Sequence, residues 1–245
     1  MMQHQADAFN GVIISAQNLP EDVAVFAEKL AALLAQSERD GKQLIWLTLP
    51  LNRAHFTGIA TELGFVFHNC LEAELTLIKR LRDDAFAPFV PSHTLGAGGL
   101  VEDGEGRFLA IREQGMTGFK LPGGHVEVGE TLEAAVQREV WEETGIETRF
   151  ESVLGFATKH PYRFGKSNAY FVCKLTPLSS QLAIQDTDEI AEARWLSIDA
   201  FVADEQQSLF NRQLVGALAG KSGLAKIDLD GNDGPHQKAE VFFAF

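Results

Sequence analysis

Between Gly123 and Ile146 the chain reads GGHVEVGETLEAAVQREVWEETGI, and no other segment limits the fold so tightly. Thr131 is a good N-cap, Glu133 suits a first turn and Gly145 is a natural terminator, which together predict one helix over residues 131–145. At about 100° per residue, Leu132, Ala135 and Val136 form an apolar stripe. The same stripe continues through Glu139, Glu142 and Glu143. Acids spaced i, i+3 and i+4 repel by roughly a few tenths of a kcal/mol per pair, and near a helix C-terminus they also oppose the dipole. A solvated charged face is the ordinary outcome for a Glu-rich helix. These acids share the side that packs inward, where unpaired charge is far more costly. A hard divalent cation resolves the conflict, because Mg²⁺ takes oxygen ligands from a few carboxylates together with substrate phosphates.

The stretch resembles the Nudix box: Gly, five residues, Glu, seven residues, then Arg-Glu-aliphatic-x-Glu-Glu-x-Gly-aliphatic. Gly124, Glu130, Arg138, Glu139, Val140, Glu142, Glu143, Gly145 and Ile146 fill it without a departure. At background residue frequencies, a chance match anywhere in the chain is on the order of one in ten million. The lead-in FKLPGG (119–124) is similar to the family's aromatic-x-x-Pro-Gly-Gly. The resemblance implies an α/β/α Nudix sandwich over roughly residues 92–218. It implies Mg²⁺ or Mn²⁺ held by Glu139, Glu142 and Glu143, with a carbonyl from Gly123 or Gly124. Glu130 and Arg138 match the pair that braces the loop against the helix. Cleaving a pyrophosphate needs cations on its oxygens and a base for the attacking water. Glu143 or Glu142 is the expected base, with Glu189 as an outside candidate.

Three parts are expected along the chain: a small α/β domain over residues 1–90, the Nudix domain over 91–220 and a tail over 221–245. In the first, GVIISA (11–16), QLIWLTL (43–49), GFVFHN and ELTLIKRL read as strands, with helices over 21–38 and from Leu51 to Leu63. DDAFAPFVPSH (83–93), with Pro88 and Pro91, reads as a linker. In the second, HTLGAGGLV and GRFLAIRE are expected as strands joined across the Gly-rich turn EDGEG. RFESVLGFATK, NAYFVCKL and EARWLSI follow as strands, and a single closing helix is expected from about Asp199 to Leu218. The tail finishes on EVFFAF, whose three phenylalanines are expected to pack.

WLTLP (46–50), ELGFVFHN (62–69), Ser92-His93 and Phe164-Gly165-Lys166-Ser167, in that order, resemble a Nudix subgroup with a pre-Nudix domain. It includes plant ADP-ribose and NADH pyrophosphatases and an animal protein encoded antisense to a fibroblast growth factor. That resemblance implies ADP-ribose or NADH as substrate and a first domain similar to part of an acetyltransferase fold. His160, Tyr162, Arg163, Phe164 and Lys166 form a basic-aromatic cluster between two strands. It reads either as a substrate loop, with an aromatic face for a base and cations for phosphates, or as an ordinary loop with a packed Phe.

Composition narrows the class further. A net charge of −13 and a pI near 4.9 argue against nucleic acid and anionic membranes as partners. They leave a phosphorylated small molecule open, since bound cations reverse the local sign. Cys70 and Cys173 form no CxxC pair, the start MMQHQADAFNG lacks a signal-peptide pattern, and no apolar run approaches the ~18–20 residues of a spanning helix, so the cytoplasm is the expected location. Residues 1–90 hold no Gln/Arg-x-x-Gly-x-Gly pyrophosphate loop of an acyltransferase. The first domain is therefore expected to shape the substrate mouth or a homodimer contact. DLDGNDG (228–234) begins like a calcium loop but has Asp233 in place of the turn glycine and Ala239 in place of the closing Glu, so it reads as a turn. The rival to an enzyme is a Nudix fold that senses a nucleotide metabolite without cleaving it. Loss of a box glutamate or of the arginine would support that rival, and none is lost.

Overall fold

In the computed structural model, which describes residues 2–244, strands and helices sort into two units that divide between Pro91 and Ser92. The first contains β1 (Gln5–Ala6), β2 (Val12–Ile14), α1 (Val23–Arg39), β3 (Leu44–Pro50), α2 (Thr57–Glu62), β4 (Val66–Cys70) and β5 (Glu74–Arg80). Its sheet runs β1-β2-β3-β5-β4, with β2 and β3 parallel and the other pairs antiparallel. Asp22 caps α1 by accepting the Val25 N–H at 2.9 Å. Phe26, Leu30, Leu33 and Leu34 recur at helical spacing and form a core with Ile14, Leu47 and Leu77 of the sheet. The segment from Leu51 departs from the expected single helix. It opens as a 3₁₀ turn, Leu51–Phe56, whose Phe56 ring stacks on Phe26 at 4.2 Å, and turns α-helical only from Thr57. Thr57, Gly58 and Thr61 are weak helix formers, which suits so short a helix.

The second unit contains β6 (His93–Val101), β7 (Arg107–Glu113), β8 (Gly123–His125), α3 (Leu132–Thr144), β9 (Thr148–Lys159), β10 (Ser167–Pro177), β11 (Ile190–Ser197), α4 (Ile198–Ala203), α5 (Leu209–Leu218), β12 (Leu224–Lys226) and β13 (Phe242–Phe243). Six strands form one sheet in the order β13-β12-β9-β10-β6-β8, and β11 and β7 form a separate ladder. Side-chain alternation assigns the two faces. Ala97, Val101, Cys173 and Leu175 pack with Val136 and Val140 of α3, while Leu100 and Val172 pack with Phe201 of α4 and Val215 of α5. Helices on both faces of the sheet make this the α/β/α sandwich.

β6 and β7 are strands joined across the Gly-rich turn, as expected; the Glu102–Phe108 bridge closes that turn, and β7 pairs along its length with β11. Within the turn Gly104 and Gly106 take left-handed conformations (φ 80° at each), and the Asp103 carboxylate accepts the Glu105 and Arg107 N–H groups. The closing helix is two helices, because Asp204 turns its carboxylate onto the Gln206 N–H and the Gln207 side chain before Ser208 caps α5. In the tail, β12 pairs with both β9 and β13. Phe242 packs on the α3-side core, Phe243 stays 53% exposed, and Phe245 lies outside the described residues. Among the described residues, no helix is long and apolar enough to cross a membrane.

Candidate active site

Helix α3 carries the acids, and both of its ends are fixed. At its start Thr131 Oγ1 accepts the Ala134 N–H at 3.2 Å, and the Glu240 carboxylate, from the tail, accepts the Leu132 and Glu133 N–H groups at 2.6 and 3.2 Å. At its end Gly145 adopts φ 75° and donates to Trp141 O at 2.7 Å. The inward face consists of Ala135, Val136, Val140, Glu143 and Thr144. Glu143 is therefore carried into the interior by the same periodicity that buries Val136 and Val140, and only 4% of it is exposed. Glu139 is mostly covered, whereas Glu142 is the most open of the three, with 40% of its side chain exposed.

Against this face lies the glycine loop. Gly123 has φ 148°, and a Cβ there would collide with the Ala97 carbonyl oxygen, so no other residue fits. A Cβ on Gly124 would come within 2.6 Å of the Glu139 carboxylate. The close approach lets the Gly123 N–H donate to Glu143 Oε2 at 2.6 Å. The Gly124 carbonyl oxygen lies over Gly96, 3.3 Å from where a Cβ on that residue would stand.

Arg138 ties the two together. Its Nε and Nη2 donate to the two oxygens of Glu130 at 2.9 and 3.0 Å, a bidentate pair, and Nη2 also reaches His125 O at 3.2 Å. Its Nη1 donates to Glu139 Oε1 and Glu142 Oε2, each at 3.0 Å. The guanidinium holds the Glu130 carboxyl below the usual carboxylate range. Burial pushes Glu139 up, partly offset by Arg138. Burial pushes Glu143 up much further, to about 8, against the pull of Lys120 and the Gly123 N–H. Among the described residues Glu143 forms no ion pair, and Lys120 acts on it only at longer range.

The donor set suits a hard divalent ion: three carboxylates and a backbone carbonyl, all oxygen. As placed, Arg138 engages two of the carboxylates, and among the described residues no three His, Cys, Asp or Glu side chains converge closely enough to hold an ion. Arg138 takes one oxygen of each, Glu139 Oε1 and Glu142 Oε2, which leaves the second oxygen of each carboxylate for a cation.

Two cavities open beside the loop. One, of about 340 Å³, has Gly96, Gly123, Gly124, His125, Arg163 and Glu189 in its lining. The other, of about 510 Å³, lies between β9, β10 and the start of α5. Lys120, Gly123, Asn168 and Tyr170 line both. Glu189, the outside candidate for the base, thus faces the same cavity as the glycine loop. Of the expected substrate residues, Arg163 lines the first cavity, while His160 shares a 2.9 Å hydrogen bond with Ser167 Oγ on the exposed surface. Phe164, in a left-handed conformation (φ 55°), is 99% exposed, so it is not a packed loop residue; neither it nor Lys166 lines either cavity. The Lys159 and Arg163 cations lie over the Tyr162 ring, 5.7 and 5.8 Å from its centre.

Sequence reasoning passed over Lys120, Tyr170 and Glu240. Lys120 lies inside FKLPGG and is held by an ion pair with Glu113 and by paired backbone hydrogen bonds with Ile111. Tyr170 is half-buried in the cleft wall, its hydroxyl over Gly98, where any larger residue would strike it. Burial raises its phenol above the ordinary range.

Residues 92–217 match the NUDIX domain model, and residues 2–81 match the Nudix hydrolase domain model. Nudix hydrolase 8 of Arabidopsis thaliana is 34% identical over 203 residues, 80% of this chain but 55% of that protein, so the chain spans little more than half of that relative. Nudix hydrolase 2 of the same plant is 32% identical over 80% of this chain and 72% of its own length. Nucleoside diphosphate-linked moiety X motif 6 of Homo sapiens is 30% identical over 99% of this chain and 80% of its own length. Matches of that extent, reaching across both units, make the chain a member of the Nudix hydrolase family.

Proposed function

We propose that the chain is a pyrophosphohydrolase acting on a nucleoside diphosphate linked to a second moiety. ADP-ribose and NADH come first among its substrates, and the products are AMP and the other phosphorylated half. The observation that carries this reading is the row of Glu139, Glu142 and Glu143 held against the glycine loop, beside cavities edged by Lys120 and Arg163. Two-moiety substrates of this kind accord with the name of the human relative, a nucleoside diphosphate-linked moiety X protein.

Glu139, Glu142, Glu143 and the Gly124 carbonyl would hold Mg²⁺ or Mn²⁺, which supplies positive charge for the pyrophosphate oxygens. The remaining work belongs to the chain. Arg138, through its two bonds to Glu130, keeps the loop and helix at a fixed separation. The Gly123 N–H orients Glu143 by one oxygen, leaving the other to take a proton from the attacking water. Glu142 and Glu189 are the alternative bases, the first more open to solvent and the second on the facing wall. Lys120 and Arg163 offer charge-assisted bonds to phosphate; the loop over residues 160–166 reaches the cavity through Tyr162 and Arg163, and its His160, Phe164 and Lys166 would meet a substrate only outside that lining.

The test is a turnover screen over dinucleotides, nucleotide sugars and nucleoside triphosphates, with and without Mg²⁺ or Mn²⁺. Cleavage of ADP-ribose or NADH should require added cation, and Glu143→Gln should lower kcat by roughly a hundredfold or more without altering the circular dichroism. Triphosphates turned over far faster than either compound would refute the substrate. Wild-type rates in all three glutamate-to-glutamine variants would move the metal seat elsewhere.

A further inference from the structure

The helix of acids is held at its start by a side chain from the far end of the chain. Only 9% of the Glu240 side chain is exposed, and its two oxygens take the Leu132 and Glu133 N–H groups. With Thr131 Oγ1 on the Ala134 N–H, the three amides that open α3 all have partners. Glu240 is itself fixed from two sides. Lys226 of β12 pairs with both Glu133 and Glu240, and across the ladder with β13 Lys226 stands opposite Phe242. β12 in turn pairs with β9, and Phe242 packs on the core that contains Val136 and Val140. The tail therefore forms a clasp over the first turn of α3.

That turn is joined to the acids by a short series of bonds. Glu130 directly precedes Thr131, and its carboxylate is the bidentate partner of Arg138. Arg138 in turn holds one oxygen each of Glu139 and Glu142. At the other end the Glu142 carbonyl accepts the Gln185 and Asp186 N–H groups, so the last turn is anchored independently of the tail. Fraying of the first turn would release Glu130 from its place, and Arg138 would lose the partner that orients both carboxylates. Misplacing a reacting group by about 1 Å can cost up to about a hundredfold in rate.

We propose that Glu240 is a positioning residue for the reaction: by gripping the Leu132 and Glu133 N–H groups it sets, through Glu130 and Arg138, where Glu139 and Glu142 stand and so how tightly they hold a divalent ion. The proposal rests on the hydrolase reading for the metal seat, but ion binding can be measured without turnover. The experiment titrates Mn²⁺ into the full chain by calorimetry, and measures kcat and KM for ADP-ribose at saturating Mn²⁺, well below the melting temperature. It compares wild type with Glu240→Ala, Glu240→Gln and Asp22→Ala. The last removes the cap of α1, a comparable loss of stability in a unit whose core is separate from that of α3. Glu240→Ala should weaken Mn²⁺ binding about tenfold and lower kcat about tenfold, with KM changed less than about twofold. Glu240→Gln, which keeps an acceptor, should fall between Glu240→Ala and wild type, and Asp22→Ala should match wild type. Wild-type Mn²⁺ affinity in Glu240→Ala would overturn the proposal, as it would in Glu240→Gln should the alanine variant not fold. An equal loss of affinity in Asp22→Ala would trace the effect to stability and overturn it as well. Mn²⁺ affinities ranked as described, in a chain that cleaves no linked diphosphate, would uphold the clasp and sink the proposed activity instead, whereas a wild-type chain that binds no Mn²⁺ would sink both.

Discussion

Glu143 is where folding and chemistry conflict most sharply. Burial pushes its carboxyl up to about 8 in the folded, metal-free chain, against 4.5 for an ordinary glutamate, so between those pH values the folded state keeps a proton that the unfolded state releases. Metal-free stability should therefore fall as pH rises from about 4.5 through 8, by on the order of a few kcal/mol from this group. Glu143→Gln should flatten that slope in thermal melts recorded with chelator, and an unchanged slope would mean that another group sets it. The same proton should leave when a divalent ion binds at pH 7, so calorimetric titrations in buffers of different ionisation enthalpy should report close to one proton released. At this scale the box was legible because its residues lie within one helix and the loop before it, where spacing alone states the geometry. Lys120 and Tyr170 were not. Each belongs to a stretch that reads correctly as a motif lead-in or a strand, but which face of that stretch meets a cavity depends on its strand partners, Ile111 for Lys120 and both Ala157 and Gly96 for Tyr170, and no local spacing states that pairing. Phe164 shows the converse: an aromatic residue in a promising loop, turned out to solvent by its own backbone.

Among the elements, α3 shows how far a local signal reaches. Thr131 and Gly145 announced both ends of the helix, but the stronger N-terminal partner is Glu240, whose carboxylate takes two free amides and is bridged to Glu133 by Lys226. No pattern in the tail distinguished that acid from its neighbours, since nothing local fixes which helix it meets. Glu240→Gln keeps an acceptor but removes the charge from the positive end of the helix. It should cost about 1 kcal/mol, seen as a fall of roughly 2–4 °C in Tm, while Glu240→Ala should cost more. Equal Tm values for wild type and both variants would show the contact contributes nothing. The partner of β7 is hidden for a similar reason: the Gly-rich turn announces the end of β6 and the start of β7, but the ladder of β7 forms with β11, from Glu113–Ile190 to Arg107–Ser197, and nothing local states that partner.

For the whole molecule, each unit has its own apolar core, and every residue assigned a part in the chemistry follows Ser92. The stretch over residues 85–92 has neither helix nor strand, and Phe89 within it is 92% exposed. Brief chymotrypsin treatment should cut there first and release two protease-resistant fragments, and cleavage starting inside either sheet would contradict the division. The centre of the second unit has a kinetic consequence. β6 and β10 run parallel, pairing residues 74 positions apart from His93–Ser167 to Val101–Leu175, and α3 packs against β6 from within the enclosed loop. No local hairpin can lay down that floor, because a long loop must close before the pairing returns any contact energy. Glu143 therefore has no buried position, and the glycine loop nothing to lie against, until the long-range pairing is made. Refolding from denaturant should return the Trp46 signal of the first unit ahead of those of Trp141 and Trp195, with divalent-ion affinity appearing only alongside the latter pair.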